Sequence, residues 1–318
     1  ARGSSAENLF TYQQLLMDTD VSVQLYSGSS REAEQVKEDL FKEMRRLEQL
    51  LSYTESSSEV TKINRAAGKE PVQVSPETAE VIEKAFRYAE LSEGAFDPTV
   101  APLLDLWGFR GEVYRVPAPA EIEAAAALVD YRLMENDHAA GGIFLPRPGM
   151  ALDLGGIAKL PILAAGLRVL EREGVANALV NGGGDVLASG RLQGRPWRVG
   201  VRDPRAPEKL LGAIEIEGFG MVASSGDYER GFMHQGRRLH HVLDPHTGWP
   251  TVGVHGVALL ARDVQAVNGW GTALMVRGMA AVPAWSAGHP GVAVLAAGSD
   301  GALWQSHGMA AALKAATA

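Results

Sequence analysis

Residues 152–159 read Leu-Asp-Leu-Gly-Gly-Ile-Ala-Lys, a short apolar stretch that runs into two glycines and then a cation. This pattern predicts a strand that ends at a turn and leads into a helix. Glycines at such a turn let backbone N–H groups approach an anion, the start of a helix favours negative charge, and Lys159 adds a cation. The segment is neither a Walker loop nor a true G-x-G-x-x-G, so a phosphate site and a plain structural turn both remain open.

The part of the chain before this segment is dominated by helical patterns. Apolar and polar residues alternate over 21–25, which predicts a half-buried strand. Hydroxyl caps at Ser29 and Ser75 open two amphipathic helices, and a third, alanine-rich helix is predicted over 119–129. The first half of the chain is therefore expected to be helix-rich.

From Ala151 onward, glycine-rich turns alternate with short apolar stretches that predict strands. These stretches are 176–180, 197–201, 213–216 and 254–260. One helix is predicted to follow Lys159 and to end at Gly174. Pro161 should then occupy its first turn, because a proline in a helix interior costs about 3 kcal/mol.

These patterns predict an α+β fold, because strands and helices neither alternate regularly nor segregate fully. We expect a helix-rich N-terminal half, residues 1–150, packed on a sheet-rich C-terminal half, residues 151–318. No Pro/Ser-rich linker separates the halves, so together they should form one unit with a shared cleft. A ligand would bind in that cleft.

The composition of the 318 residues excludes several classes of function. A net charge of -8 argues against nucleic-acid binding, which requires a basic surface. The chain has no cysteine, which excludes disulfides, thiolate nucleophiles and iron–sulfur ligation. No apolar run approaches the about 20 residues that a transmembrane helix needs. The lack of cysteine and a first residue other than Met favour a periplasmic protein whose signal peptide has been removed.

Two further glycine-containing segments could belong to a binding site. In 94–99, Gly-Ala-Phe-Asp-Pro-Thr, an Asp-Pro turn lies between aromatic residues and could shape a pocket for a flat ring. The alternative is a helix stop followed by a buried Trp107 and Phe109. In 181–185, Asn-Gly-Gly-Gly-Asp, the glycines allow a close backbone approach, although a plain hairpin turn explains them equally well.

Histidines concentrate in the last polar segment. Five of the eight lie between His234 and His255, in a stretch rich in turn residues. None of these histidines pairs with another at helical spacing within a helical pattern, which argues against a zinc site. A single histidine that acts as a general base is the better interpretation, because its ordinary pKa suits proton removal near neutral pH.

Taken together and in this order, the segments resemble the ApbE family of FAD:protein FMN transferases. The similarity includes SGDYER at 225–230 and HVLDP at 241–245, which resemble that family's SGDYER and HIIDP segments. The other matching segments are 58–64, 94–99, 107–109, 152–159 and 272–275. They span most of the chain, roughly from Met17 to Gly278.

The resemblance implies an enzyme that binds FAD in the cleft, with Mg²⁺ against the pyrophosphate. Such an enzyme joins the FMN half to a Thr or Ser of a target protein and releases AMP. His241 is implied to be the base that activates the target hydroxyl. The implied metal ligands are the Ala158 carbonyl, Asn268 and Thr272. The residues implied to bind FAD are Met17, Tyr53, Thr54, Ala95, Phe96, Asp97, Gly155, Lys159 and Val242. The implied partner is a flavin-accepting redox or respiratory membrane component.

The chain departs from the family pattern at residues that would contact the metal and the flavin. Asn268 stands where the family usually has a metal-binding Asp, so the site loses a negative charge but keeps an oxygen ligand. Leu160-Pro161 replaces a usual Gly-Tyr. The ring-stacking Tyr of the family corresponds by position to Thr54, and its neighbour Tyr53 carries the aromatic ring instead.

Two alternatives to flavin transfer follow from the same resemblance. In a FAD pyrophosphatase, water would replace the target hydroxyl at the same phosphorus and release FMN and AMP. In a non-catalytic flavin-binding or partner-binding protein, the metal site would have decayed, and Asn268 is the residue that favours this alternative.

Overall fold

The computed structural model describes residues 6–137, 139 and 142–315. Its strands are β1 (Asn8–Leu16), β2 (Thr19–Ser27), β3 (Glu135–Asp137), β4 (Gly142–Phe144), β5 (Ala178–Gly182), β6 (Asp185–Ser189), β7 (Trp197–Asp203), β8 (Ala206–Ile216), β9 (Gly220–Gly226), β10 (Gly231–His234), β11 (Arg237–His240), β12 (Val254–Ala261), β13 (Ala293–Gly298), β14 (Leu303–Gln305) and β15 (Leu313–Lys314). Its α-helices are α1 (Ser30–Leu51), α2 (Glu59–Arg65), α3 (Pro76–Leu91), α4 (Ala101–Trp107), α5 (Pro119–Ala126), α6 (Gly155–Arg172), α7 (Val264–Val267), α8 (Trp270–Arg277), α9 (Val282–Gly288) and α10 (His307–Ala312). This mixture of helix and sheet confirms the predicted α+β class.

The central element is an antiparallel sheet that takes strands from both halves of the sequence. Within the described residues it has eight strands, in the order β1-β2-β5-β6-β9-β12-β13-β14. The N-terminal hairpin joins it where Val23 of β2 pairs with Val180 of β5. The sheet therefore crosses residue 150, and a domain boundary at that residue stays a prediction.

Helices cover one face of the sheet, and α1 and α6 pack against each other in the core there. Ser29 caps α1 as predicted, since its Oγ accepts a hydrogen bond of 3.2 Å from the Glu32 N–H. Leu40 and Met44 of α1 are buried, and Gly166 of α6 lets the helices approach closely, because a Cβ there would lie 3.1 Å from the Met44 Sδ. This contact holds α6, and with it the glycine turn at its start, against the sheet.

A small sheet covers the opposite face. Its strands lie in the order β15-β8-β7. Trp197 and Ile214 of this sheet are buried with Tyr26 and Leu179 of the central sheet in a second apolar core. The Trp197 Nε1–H donates to the Ser189 carbonyl at 2.9 Å, so the buried indole keeps a polar partner.

Two predicted helix boundaries were wrong. α6 begins at Gly155, not after Lys159, so Pro161 lies inside the helix and not in its first turn. α5 ends at Ala126 and is shorter than the predicted 119–129. The first five residues, on which the expectation of a removed signal peptide partly rests, lie outside the described residues. Among the residues that are described, no helix is both long enough and apolar enough to cross a membrane.

Candidate active site

The glycine turn at the start of α6 is exposed and is stiffened by an ion pair. Gly155 and Gly156 form the first residues of the helix. The Gly155 N–H donates to Asp153 Oδ1 at 2.7 Å, and the other oxygen of Asp153 pairs with Arg110. The first N–H of the turn is thus already satisfied by a carboxylate, and a phosphate at this position would compete with Asp153.

The triple-glycine segment is a tight hairpin turn between β5 and β6 that packs against Lys159. Gly183 and Gly184 have φ angles of 60° and 96°, in the left-handed region that favours glycine. A Cβ on Gly183 would lie 2.9 Å from the Thr19 Oγ1 and 3.4 Å from the Lys159 Nζ. The positive φ angles and the close Thr19 contact therefore favour glycine in this turn.

Lys159 is held by Asp185, which sequence reasoning did not assign to the site. Its ammonium lies 2.9 Å from Asp185 Oδ2, and Asp185 Oδ1 accepts a hydrogen bond of 2.8 Å from the Ser224 N–H. Asp185 is buried while the lysine side chain is 26% exposed. The pair fixes a partly accessible cation beside the hairpin turn.

His241 presents a neutral imidazole with an unused nitrogen. Its side chain is 29% exposed, and its Nε2 lies 3.8 Å from Glu229 Oε2. Within the described residues, its Nδ1 is buried and has no hydrogen-bond partner. Burial lowers the pKa of His241 to about 4, with the nearby charges of Arg230 and Lys159 acting in the same direction. A neutral imidazole with a free ring nitrogen can accept a proton.

Glu229 lies among cations beside this histidine. Burial raises the pKa of its carboxyl, and Asp185 acts in the same direction. Lys159, Arg202 and Arg230 lower the pKa of the same group. Phosphates could bind near these side chains, because three positive groups surround two carboxylates.

The adjacent His240 has a different environment, in which both ring nitrogens are used. Its Nε2 lies 2.8 Å from the Thr251 carbonyl, and its Nδ1 accepts a hydrogen bond of 3.3 Å from the Val242 N–H. Val242 is itself buried. His240 thus stabilises the loop that carries His241 and has no nitrogen left for catalysis.

The predicted flavin-stacking region is occupied by a side chain of the protein. The guanidinium carbon of Arg110 lies 2.9 Å from the centre of the Tyr53 ring, and the Tyr53 hydroxyl donates to Asp105. Thr54 is exposed beside it. Arg110 also pairs with Asp153, so Tyr53 is linked to the glycine turn of α6.

Met17 lies in the two-residue turn of the β1–β2 hairpin. Met17 and Asp18 both have positive φ, 53° and 56°, as a type I′ turn requires. The Met17 N–H donates to Glu48 Oε1 at 2.9 Å. Asp18 lies 3.8 Å from Arg230, so the turn reaches one of the cations around Glu229.

The segment 94–99 forms a buried support under the start of α6. A Cβ on Gly156 would lie 3.6 Å from the Phe96 ring, and one on Gly269 would lie 3.5 Å from it. Asp97 is buried and accepts hydrogen bonds from the Thr99 N–H at 2.8 Å and the Tyr131 N–H at 3.1 Å. Ala95 is likewise buried.

The aromatic residues after this segment belong to the core. Trp107 and Phe109 are fully buried, and the Trp107 Nε1–H donates to the Gly248 carbonyl at 2.9 Å. Trp107 and Phe109 are buried as the structural alternative expects, and a flat-ring pocket at 94–99 stays a prediction.

Two of the three residues predicted to hold a metal, Ala158 and Asn268, meet at the first turn of α6. Asn268 is buried at the end of α7, and its Nδ2–H donates to the Ile157 carbonyl at 2.8 Å. Ala158 follows Ile157, and Thr272 lies in the first turn of α8. In the part of the chain that the structure describes, no group of three or more His, Cys, Asp or Glu side chains could hold a metal ion. The three predicted protein ligands are themselves neutral oxygen groups.

A groove of about 660 Å³ lies along α1, α3 and α6. Asn268 lines it, whereas His241, Lys159 and Gly155 do not. Asn268 and its partner Ile157 both line this groove. The charged groups lie on the side of His241, whose Nε2 is 3.8 Å from Glu229.

These features describe an α+β protein in which cations that could bind phosphate, Lys159, Arg202 and Arg230, lie near a neutral histidine. A sequence model of the ApbE family matches residues 17–296. The chain belongs to the ApbE family.

Relatives and solved structures agree with this assignment. A FAD:protein FMN transferase of Klebsiella pneumoniae (strain 342) is 34% identical over 279 residues, which are 86% of this chain and 84% of the relative. One from Treponema pallidum (strain Nichols) is 30% identical and covers 85% of this chain and 79% of its own. The crystal structure of the ApbE protein from Thermotoga maritima superposes with a TM-score of 0.88 at 33% identity, over 96% of this chain and 100% of that one. The apo flavinyl transferase ApbE of Pseudomonas stutzeri gives 0.83 at 28% identity, over 98% of each chain.

Proposed function

We propose that this protein transfers FMN from FAD to a Thr or Ser of a target protein and releases AMP. The activity in the names of its relatives supports this proposal. The single observation that carries it is the partly exposed His241 imidazole, kept neutral by burial, whose Nε2 lies 3.8 Å from Glu229 Oε2. Phosphoryl transfer requires mainly positioning and neutralisation of charge, and Lys159 and Arg230 lie beside this base.

The reaction would proceed by attack of the target hydroxyl on the FMN phosphorus. The exposed part of the His241 imidazole would accept the hydroxyl proton while the new O–P bond forms. The phosphoanhydride bond to AMP would break, and its electron pair would leave with AMP. Glu229, 3.8 Å from Nε2, would stabilise the imidazolium, and Lys159 would neutralise phosphate charge.

Mg²⁺ is part of the proposal, and the residues present fit it. The Ala158 carbonyl, the Asn268 amide oxygen and the Thr272 hydroxyl are hard oxygen donors of the kind that Mg²⁺ prefers. The Asn268 amide nitrogen faces the Ile157 carbonyl, which leaves the amide oxygen as its ligand atom. Bound there, Mg²⁺ would offset the charge of the FAD pyrophosphate, whose oxygens would supply the anionic ligands.

The proposal also includes a class of target protein and a cellular compartment. A flavin-accepting redox or respiratory membrane component would serve as target. The absence of cysteine supports a periplasmic location, where an unpaired thiol is a liability.

Incubation with FAD, Mg²⁺ and a Thr-containing target domain tests the function. We expect flavin fluorescence on the target in a denaturing gel. His241→Ala should lower the transfer rate by about 10²–10⁴-fold and leave FAD affinity nearly unchanged. His240→Ala is the control, and it should lower thermal stability more than it lowers the rate per folded molecule.

The other outcomes separate the alternatives. Free FMN with an unlabelled target would favour a FAD pyrophosphatase. Bound and intact FAD would favour a non-catalytic flavin-binding protein. A His241→Ala variant that transfers at the wild-type rate would eliminate His241 as the base.

A further inference from the structure

Pro161 leaves a gap in the hydrogen bonding of α6. The helix runs without interruption from Gly155 to Arg172, and Pro161 lies inside it. A proline has no N–H, so the carbonyl four residues earlier, that of Ile157, loses its intrahelical donor. Ile157 is buried, with 1% of its surface exposed. An unpaired carbonyl in such a place costs free energy unless another group donates to it.

Asn268 supplies that donor from a different element. Its Nδ2 lies 2.8 Å from the Ile157 oxygen, and only 3% of the residue is exposed. The next residue, Gly269, has a φ of 79°, and a Cβ there would lie 3.6 Å from the Ile157 side chain. The turn that carries Asn268 is therefore packed directly on the helix at this carbonyl.

We infer that Asn268 and Pro161 form a coupled pair, in which the Asn268 amide replaces the helix hydrogen bond that Pro161 removes. An aspartate at 268 has no N–H and would place a carboxylate oxygen against the unpaired Ile157 carbonyl. The pair therefore keeps the side chain at the predicted metal position uncharged. The consequence for Mg²⁺ rests on the proposed function: with neutral protein ligands, Mg²⁺ binds together with FAD and only weakly to the free protein.

A thermal-unfolding cycle in the absence of FAD and Mg²⁺ tests the pair. The four proteins are wild type, Asn268→Asp, Pro161→Ala and the double variant. Asn268→Asp should lower Tm by about 5 °C when residue 161 is proline. When residue 161 is alanine, its N–H can bond the Ile157 carbonyl, and the same change should lower Tm by about 2 °C or less. Equal losses in both backgrounds would overturn the inference.

Asn64→Asp is the matched control. The Asn64 amide also donates to a backbone carbonyl, that of Leu152, at 3.0 Å, but Leu152 precedes α6, so an N–H at residue 161 could not replace this donor. Its effect on Tm should be the same in the wild-type background and in the Pro161→Ala background. If Asn268→Asp alone does not fold, the double variant should recover folded protein, and its failure to do so would overturn the pairing.

Calorimetric titration of Mg²⁺ into FAD-free protein tests the metal consequence separately. The double variant should bind Mg²⁺ at least about tenfold more tightly than wild type, because it carries a carboxylate at 268. Equal affinity would overturn this consequence. Neither measurement depends on flavin transfer, so a failure of the proposed function would leave the thermal result intact.

Discussion

Glu229 is placed to stabilise a proton on His241. The two side chains are only 3.8 Å apart, yet the strongest influences on the pKa of His241 are burial and neighbouring positive charges, which lower it. A base whose protonated form is so disfavoured needs an anion that stabilises the imidazolium as it forms. Glu229 is the acidic group in position to do this.

Glu229→Gln should therefore lower the transfer rate by about tenfold and leave FAD affinity unchanged. An opposite charge raises the pKa of a histidine, so its removal should shift the acid limb of the rate profile to lower pH. The measurement is transfer rate against pH. Glu217→Gln, at an exposed ion pair with Arg191, should change neither rate nor profile. A normal rate with an unshifted acid limb in Glu229→Gln would contradict this role.

Elements with strong local signals were predictable from sequence alone. Ser29 and Ser75 cap α1 and α3 because a hydroxyl before an amphipathic stretch satisfies the free N–H groups of the first turn. The position of Pro161 was predicted wrongly because the contact that permits it is not local in the sequence. The hydrogen bond that makes an interior proline tolerable comes from Asn268, more than a hundred residues away.

The sequence predicted the candidate site only where its residues lie within one short segment. His241 and Lys159 came from short motifs, whereas the partners that tune them belong to other elements. Asp185 reaches Lys159 because β5 and β6 fold back at the glycine turn, and no local pattern indicates that distance. Arg110 likewise covers Tyr53 from a loop far along the chain.

Thr272 belongs to α8, and the packing of α8 on β9 helps to fix its position. A Cβ on Gly271 would lie 2.3 Å from the Ser225 Oγ, so Gly271→Ala should push α8 away from the sheet. Overpacking of this kind costs about 1–3 kcal/mol, and we expect a lower Tm by thermal unfolding. Ser225→Gly removes the obstructing atoms and should restore part of the loss.

Gly288→Ala is the control for that experiment. Gly288 lies in α9, and a Cβ there would meet no other atom within 4 Å. Its Tm should stay at or slightly above that of wild type, because alanine favours helix more than glycine does. A Gly271→Ala variant that is as stable as Gly288→Ala would contradict the proposed contact.

At the scale of the whole molecule, the two halves of the sequence complete each other's core. The N-terminal hairpin supplies the strand that pairs with β5, and α1 packs on α6 from the second half. Val23 and Leu25 of β2 are fully buried in the same apolar core as Leu163 of α6. Separation of the halves would expose this core and an open sheet edge at β5.

Residues 1–150 and residues 151–318, produced separately, should therefore each lack a cooperative thermal transition. The second fragment should also aggregate, because the unpaired edge of β5, residues 178–182, is apolar and would be free to pair with other chains. When both fragments are produced in one cell, they should co-purify and unfold in a single transition, since β2–β5 pairing and the α1–α6 contact need no covalent connection. Circular dichroism of each fragment, of the pair and of the intact chain measures this. A cooperative transition in either fragment alone would show that the boundary at residue 150 separates independent domains, and the shared sheet would then be an interface between them.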